Sequence, residues 1–311
     1  GTITGNVDAT SANFTIDEGG TINVDGKGYT VGNGPGAGAT GTQYGDIAGG
    51  GGGYGGNGGG GRVRDVYPSG GSTYGSVTEP SELGSGGGGD AVRSGNGGGA
   101  VKLSVSGTAA INGNVTANGV NGGGVGDYRN NGGGSGGSVW INTNILSGSA
   151  SITANGGNGY NNAGGGGGGG GRIAITYNDA SGASLTKQAY GGSTGYQKGG
   201  AGTIYTRDMD DPENINGDLL VDNGAINGVN TTQNASHTFD NVTIQNNAKY
   251  VIPAEHTLTA SNFTGNSTAT LTNNGTLNHT GTTISNIGTF TNSGTLTASN
   301  LETISGVTIF T

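Results

Sequence analysis

The densest set of possible ligands in the sequence is Asp208, Asp210, Asp211, Glu213 and Asp218, all within residues 207–218, RDMDDPENINGD. Hard oxygen donors packed this closely are what a calcium ion takes, so a structural Ca2+ is one expectation for this stretch. The spacing departs from the EF-hand loop, which needs a glycine at its turn, and no GGxGxD series is present to act as a calcium-binding repeat. A solvated acidic connector turning at Pro212 is the competing reading. The same acids are the candidates for cleaving a polysaccharide. Asp210 and Asp211 are adjacent, however, and on a strand they point to opposite faces, whereas a working acid and base need about 5 to 9.5 Å between carboxyls on one surface. His237, His256 and His279 fall in no catalytic motif. No catalytic residues are assigned, and a protein that is not an enzyme is expected.

Aromatic residues give a second set. Tyr44, Tyr54, Tyr74, Tyr128, Tyr160 and Tyr196 punctuate glycine tracts, where a flat ring can cover backbone or stack on a sugar. Tyr54, Tyr74, Tyr128 and Tyr160 are the candidate glycan-binding residues, with plain structural packing as the alternative. The tracts themselves are not phosphate cradles, because none ends in Gly-Lys-Ser/Thr and none opens a helix. Thr-x-Thr triplets begin at Thr2, Thr257, Thr270, Thr289 and Thr295. Stacked in register they could make a flat ice-binding face, although outward Thr also simply reflects strand propensity.

What must position these residues is unusual in composition. Of 311 residues, 75 are glycine, 30% are hydrophobic and 10% are charged. That is too little apolar material for one oily core, yet too little charge for a typical disordered chain. The net charge of −9 comes with no basic stripe, which argues against nucleic acid and anionic membranes as partners. Cysteine is absent, removing disulfides, thiol nucleophiles and Cys-type zinc sites. No apolar run approaches the ~20 residues of a membrane span, so membrane insertion is not expected. The first residue is Gly1 rather than Met, which reads as a processed or truncated start.

Glycine is unevenly shared, with 66 in residues 1–206 and 9 in residues 207–311. Two regions follow: a glycine-rich part, 1–206, and a Thr/Asn-rich continuation, 207–311. Within the first, GGGAVKLSVSGTAAINGNVTANG, GSGGSVWINTNILSGSASITANGG, GGGGRIAITY and GGAGTIYTR align on their glycines. Behind each glycine block the apolar residues alternate, as in Val101, Leu103, Val105 and in Ile173, Ile175, Tyr177. Period two means strands with one buried face, and no window carries the three-and-four spacing of a helix. Strands this short must stack rung on rung to bury anything. The expected fold is all-β, a parallel β-helix (β-solenoid) with ordered polyglycine tracts packed alongside. At about 20 residues and 4.8 Å per rung it would be a rod of roughly 70 Å. The tracts suit a three-residue-per-turn helix related to polyproline II, and several tracts can bundle because no Cβ intervenes.

The blocks GGGSGGSVWI, GGGGGGGGRIAITY and GGAGTIY, followed by GDLLVDNG, resemble glycine-rich β-helical repeat regions of bacterial secreted or surface proteins, adhesin-like in character. The C-terminal Thr/Asn/Gly pattern is similar to filamentous adhesin β-helices. The tracts also resemble, more weakly, the polyglycine sandwiches of phage tail-fibre tip adhesins. These resemblances imply an extracellular or cell-surface protein, bacterial or on a phage particle, and no catalytic residues. The leading expectation is a structural protein that self-associates into a filament or surface adhesive fibre, a homo-oligomer or polymer. Its candidate contact residues are Thr2, Ile3, Val7, Val307, Ile309 and Phe310, since an uncapped stack of strands recruits further copies. A glycan-binding adhesin or phage receptor-binding tip, with surface glycans as partners, is the alternative, and a polysaccharide lyase or hydrolase is the third reading.

Overall fold

The computed structural model describes residues 1–126, 129–160 and 164–298 in full, and the backbone of 303–305 and 308–310. Tyr128 and Val307 therefore lie outside the described residues. Among the described residues every regular element is a strand, and no helix is long and apolar enough to cross a membrane.

The strands Val7–Ser11, Ala100–Ile111, Ser138–Thr153, Arg172–Tyr177 and Thr203–Asp208 pair in parallel, with Val7, Val101, Val139, Ile173 and Ile204 in one column. The aligned repeat openings are thus neighbours in register. The acidic stretch then reverses the chain, and Asp218–Asp222 pairs antiparallel to Thr203–Asp208, with Leu220 opposite Ile204. Beyond it Asp218–Asp222, His237–Gln245, Thr257–Gly265, Thr283–Ser285 and Thr303–Ser305 run parallel again, stacking Leu219, Val242, Phe263, Ile284 and Ile304. A separate five-stranded parallel sheet stacks Thr231, Tyr250, Leu271, Phe290 and Ile309.

The long ladder has ten strands, so its nine steps span about 43 Å at ~4.8 Å each, shorter than the rod expected from length alone. In the C-terminal half, successive partners such as Leu271 and Phe290 are 19 residues apart, near the expected rung. In the glycine-rich half, Val101 and Val139 are 38 apart. The surplus chain leaves the ladder sideways into the glycine tracts. Two apolar cores result, one around Leu103, Ile141 and Ile173 and the other around Tyr205, Val242 and Phe263. The Arg172–Tyr177 strand separates them: Ile173 and Ile175 enter the first, Ala174 the second.

The glycine tracts form a hydrogen-bonded bundle. In residues 164–171, Gly166 and Gly169 donate their N–H groups to the carbonyls of Gly49 and Gly52. Gly167 and Gly170 donate to Gln197 and Gly200, and Gly168 and Gly171 to Gly157 and Ala154. Every third amide addresses the same neighbour, which is the geometry of a polyproline-II-type helix with three residues per turn. Residues 132–137 repeat the rule: Gly133 and Gly136 donate to Gly166 and Gly169, Gly134 and Gly137 to Val120 and Ala117, and Gly132 and Ser135 to Gly88 and Ser85. An isolated helix of this kind leaves its backbone to water. Here neighbouring segments of the same chain satisfy it in a buried interior, where each orphaned amide would cost about 1 to 3 kcal/mol.

This contact requires glycine. A Cβ built on Gly168 would lie 2.0 Å from the Gly134 carbonyl oxygen, and one on Gly166 2.0 Å from that of Gly59. Since backbone is the obstacle at every such position, no rotamer change relieves the clash. Gly168→Ala is expected to lower unfolding free energy by about 3 kcal/mol or more. Gly123→Ala, whose Cβ would meet nothing closer than 3.4 Å, should stay within about 0.5 kcal/mol of the parent. Urea midpoints of the two variants compare them directly.

Candidate functional site

A groove of about 880 Å3 lies where the glycine bundle meets the turns of the C-terminal half. Its floor is tract backbone at Gly58, Gly60 and Gly70, and its walls come from residues 67–72, 195–198 and 227–230 together with Lys249. Glycine at the floor lets these segments approach closely: Gly60 N–H donates to Gln197 Oε1 at 2.9 Å, and Gln197 N–H returns a bond to the Gly60 carbonyl. Two exposed rings stand at the groove, Tyr67 at 56% and Tyr196 at 37% exposure. Their centroids are 5.9 Å apart with planes tilted by 45°. The Arg62 guanidinium lies 5.8 Å from both centroids, a cation shared between two ring faces. Lys249 Nζ donates to the Gly228 carbonyl at 2.9 Å, and Lys198 is exposed. No Asp or Glu lines the groove, so it presents positive charge, ring faces and amides with no competing carboxylate.

The tyrosines named from sequence are placed differently. Tyr54 is 0% exposed, a correction to its expected glycan-facing role: its hydroxyl is 2.6 Å from Ser138 Oγ and its ring lies beneath the Arg172 guanidinium at 5.5 Å. Tyr74 packs on it at 4.8 Å between centroids and donates its hydroxyl to the Leu83 carbonyl, so it too is structural. Burial holds both phenols well above their ordinary pKa, and they stay neutral donors. Tyr160 is half-buried, with its ring against Gly124 where a Cβ would collide. Among the tract tyrosines, Tyr196 is the one that reaches the groove; its partner Tyr67 belongs to no tract, and sequence reading missed it.

Of the acidic residues, Asp211, Glu213 and Asp218 line one small hollow together with Asp240, while Asp208 and Asp210 lie outside it. Asp208 Oδ1 accepts from Asp210 N–H, Asp211 Oδ1 from Glu213 N–H, and Asp218 Oδ1 from the Asn241 side chain. They close the reversal between the Thr203–Asp208 and Asp218–Asp222 strands. Among the described residues no three His, Cys, Asp or Glu side chains group to hold a metal ion. Thr270 and Thr272 do stack on Thr289 and Thr291, but only these two triplets share that column.

Of the proposed contact residues, Thr2 and Ile3 are exposed, Ile3 at 50%, and Val7 sits over Val101. Among the described residues nothing pairs with the outer edges of Thr2–Thr4 and Val7–Ser11. At the opposite end Ile309 and Phe310 belong to the last strand of the five-stranded sheet, over Phe290 and Thr291.

Sequence reading also missed the buried polar centre. Arg172 follows the longest glycine tract, takes the column position held by Ser138 and Thr203, and is 1% exposed. Nε and Nη2 donate to the Tyr74 carbonyl at 3.0 and 2.8 Å, Nη1 to Thr203 Oγ1 and Nη2 to Asn234 Oδ1, both at 3.0 Å. One side chain thus ties the tract insertion, the strand ladder and the C-terminal half together. His237 lies nearby, its ring 5.6 Å from that of Phe239. Burial, helped by the Arg172 charge, pushes its pKa down to about 4.

Against protein-family models, curated proteins and solved structures the chain finds no match.

Two outcomes follow from the buried centre. Arg172→Leu leaves the Tyr74 carbonyl and Asn234 unpaired and should cost about 3 kcal/mol in urea denaturation. His237 binds a proton more weakly folded than unfolded, so its contribution is complete above about pH 6.5 and is lost as pH falls toward about 4. Melting curves across that window should show a steeper acid loss for the parent than for His237→Phe.

Proposed function

We propose that this is an extracellular structural protein of a bacterial surface or phage particle. In this reading it is a β-solenoid, stiffened along one side by the polyglycine bundle, whose copies associate end to end. The observation that carries it is that, among the described residues, nothing pairs with the outer edges of Thr2–Thr4 and Val7–Ser11 on one side of the strand stacks, or with those of Thr303–Ser305 and Thr308–Phe310 on the other. Open edges offer rows of free N–H and C=O groups that a further strand can satisfy. The two ends differ, so the contact is heterologous and grows unless it closes into a ring. Ile3, half exposed on the first edge, supplies apolar surface that an incoming copy would cover. The resemblance of its glycine-anchored repeats to those of secreted glycine-rich proteins supports the extracellular setting.

Sedimentation velocity over a hundredfold concentration range, with negative-stain images of the top samples, tests this. Elongated oligomers are expected, and Ile3→Lys, on an exposed side chain, should weaken association at least tenfold without lowering the melting temperature. Monomers persisting at the highest concentration would sink the reading.

A further inference from the structure

We infer that the groove beside the glycine bundle binds a carboxylated saccharide, with Tyr67 and Tyr196 against sugar faces and Lys198 and Lys249 against the acid groups. The inference goes beyond the assembly reading and does not depend on it, because the groove lies on the flank of the ladder.

Three features of the site select this ligand class. First, the rings are exposed yet held: the Arg62 guanidinium caps both at 5.8 Å from each centroid, and Tyr67 and Tyr196 keep 56% and 37% of their surface open to solvent. A tyrosine held in this way supplies a flat apolar face at little entropic cost, suited to the C–H face of a pyranose. Second, the charges are of one sign. The chain carries 20 acidic and 11 basic residues, yet two lysines line the groove and no carboxylate does. Neither lysine, nor Arg62, has an ion-pair partner among the described residues. Lys249 is aimed by its bond to the Gly228 carbonyl and keeps two further N–H donors. An ammonium without an ion-pair partner makes a charge-assisted bond to a carboxylate, stronger than its bond to a neutral hydroxyl. Third, the floor is stiff. Gly58 donates to Gly71, and Gly59 to Gly167 deep in the bundle, so the groove is formed before a ligand arrives and little ordering cost remains.

The space favours a chain over a single sugar: about 880 Å3 between residues 57–72 and 227–230 accommodates several rings. Neutral saccharides would use the tyrosines alone. A single-stranded oligonucleotide would use rings and lysines both, and is the competitor the experiment must exclude.

Isothermal titration calorimetry of the full chain with a galacturonate hexamer, a neutral galactose oligomer of the same length and an oligothymidylate tests the assignment. Binding of the galacturonate hexamer is expected, at least tenfold tighter than that of the neutral oligomer and weakening with salt. Lys198→Gln and Tyr196→Ala, both at exposed positions, should each reduce its affinity about tenfold with unchanged melting temperature, and Tyr67→Ala should do the same. Absence of binding, equal binding of the neutral oligomer, tighter binding of the oligothymidylate, or affinity indifferent to all three variants would overturn it.

Discussion

Backbone packed directly against backbone is the contact on which the rest of this molecule depends. Side chains normally hold secondary structures about 10 Å apart and fill the gap with apolar volume. In the glycine bundle that spacer is missing, and carbonyl oxygens sit where a Cβ would be. The bundle coheres because a three-residue repeat sends successive amides in three directions, so a tract at the centre, such as residues 164–171, bonds to several neighbours at once. Order that glycine entropy strongly opposes is recovered collectively. A lone tract would have no partner in any of its three directions.

That constraint explains how a chain with so little apolar material remains packed. The aliphatic residues are spent on two narrow columns, one on each side of the Arg172–Tyr177 strand, and the bundle supplies a third body with no side chains to bury. Arg172 stands where the three meet. Its long planar donor group satisfies carbonyl, hydroxyl and amide acceptors on segments 98, 31 and 62 residues away in sequence, a task no apolar residue of that size could perform. The tyrosines beneath it belong to the same joint, which is why they are unavailable as surface rings.

The groove is a by-product of the same geometry. Tight packing of the tracts ends abruptly where residues 67–72 and 195–198 turn outward, and side chains reappear at the rim after a floor that has none. A rigid, featureless floor with chemistry concentrated at its edge is well suited to presenting a few rings and charges at fixed spacing. The acidic reversal at residues 208–218 does something different: Asp208 and Asp211 accept from backbone amides two residues on, which shapes the turn, and Asp218 accepts from the Asn241 side chain of the next strand.

Strand identity and register were legible in the sequence, because alternation is local and the glycine-anchored repeats differ little from rung to rung. Val101, Val139, Ile173 and Ile204, aligned by their preceding glycines, are stacked in space. The bundling of the tracts was likewise readable, since a run without Cβ has few ways to become ordered except against other backbone. Which tract touches which, that the fourth strand of the ladder is buried on both faces, and that Tyr54 turns inward while Tyr67 and Tyr196 meet outside were settled only by the tertiary structure. Those outcomes depend on hydrogen-bond partners scores of residues apart, and a glycine tract carries no side chain by which the sequence could name its neighbour.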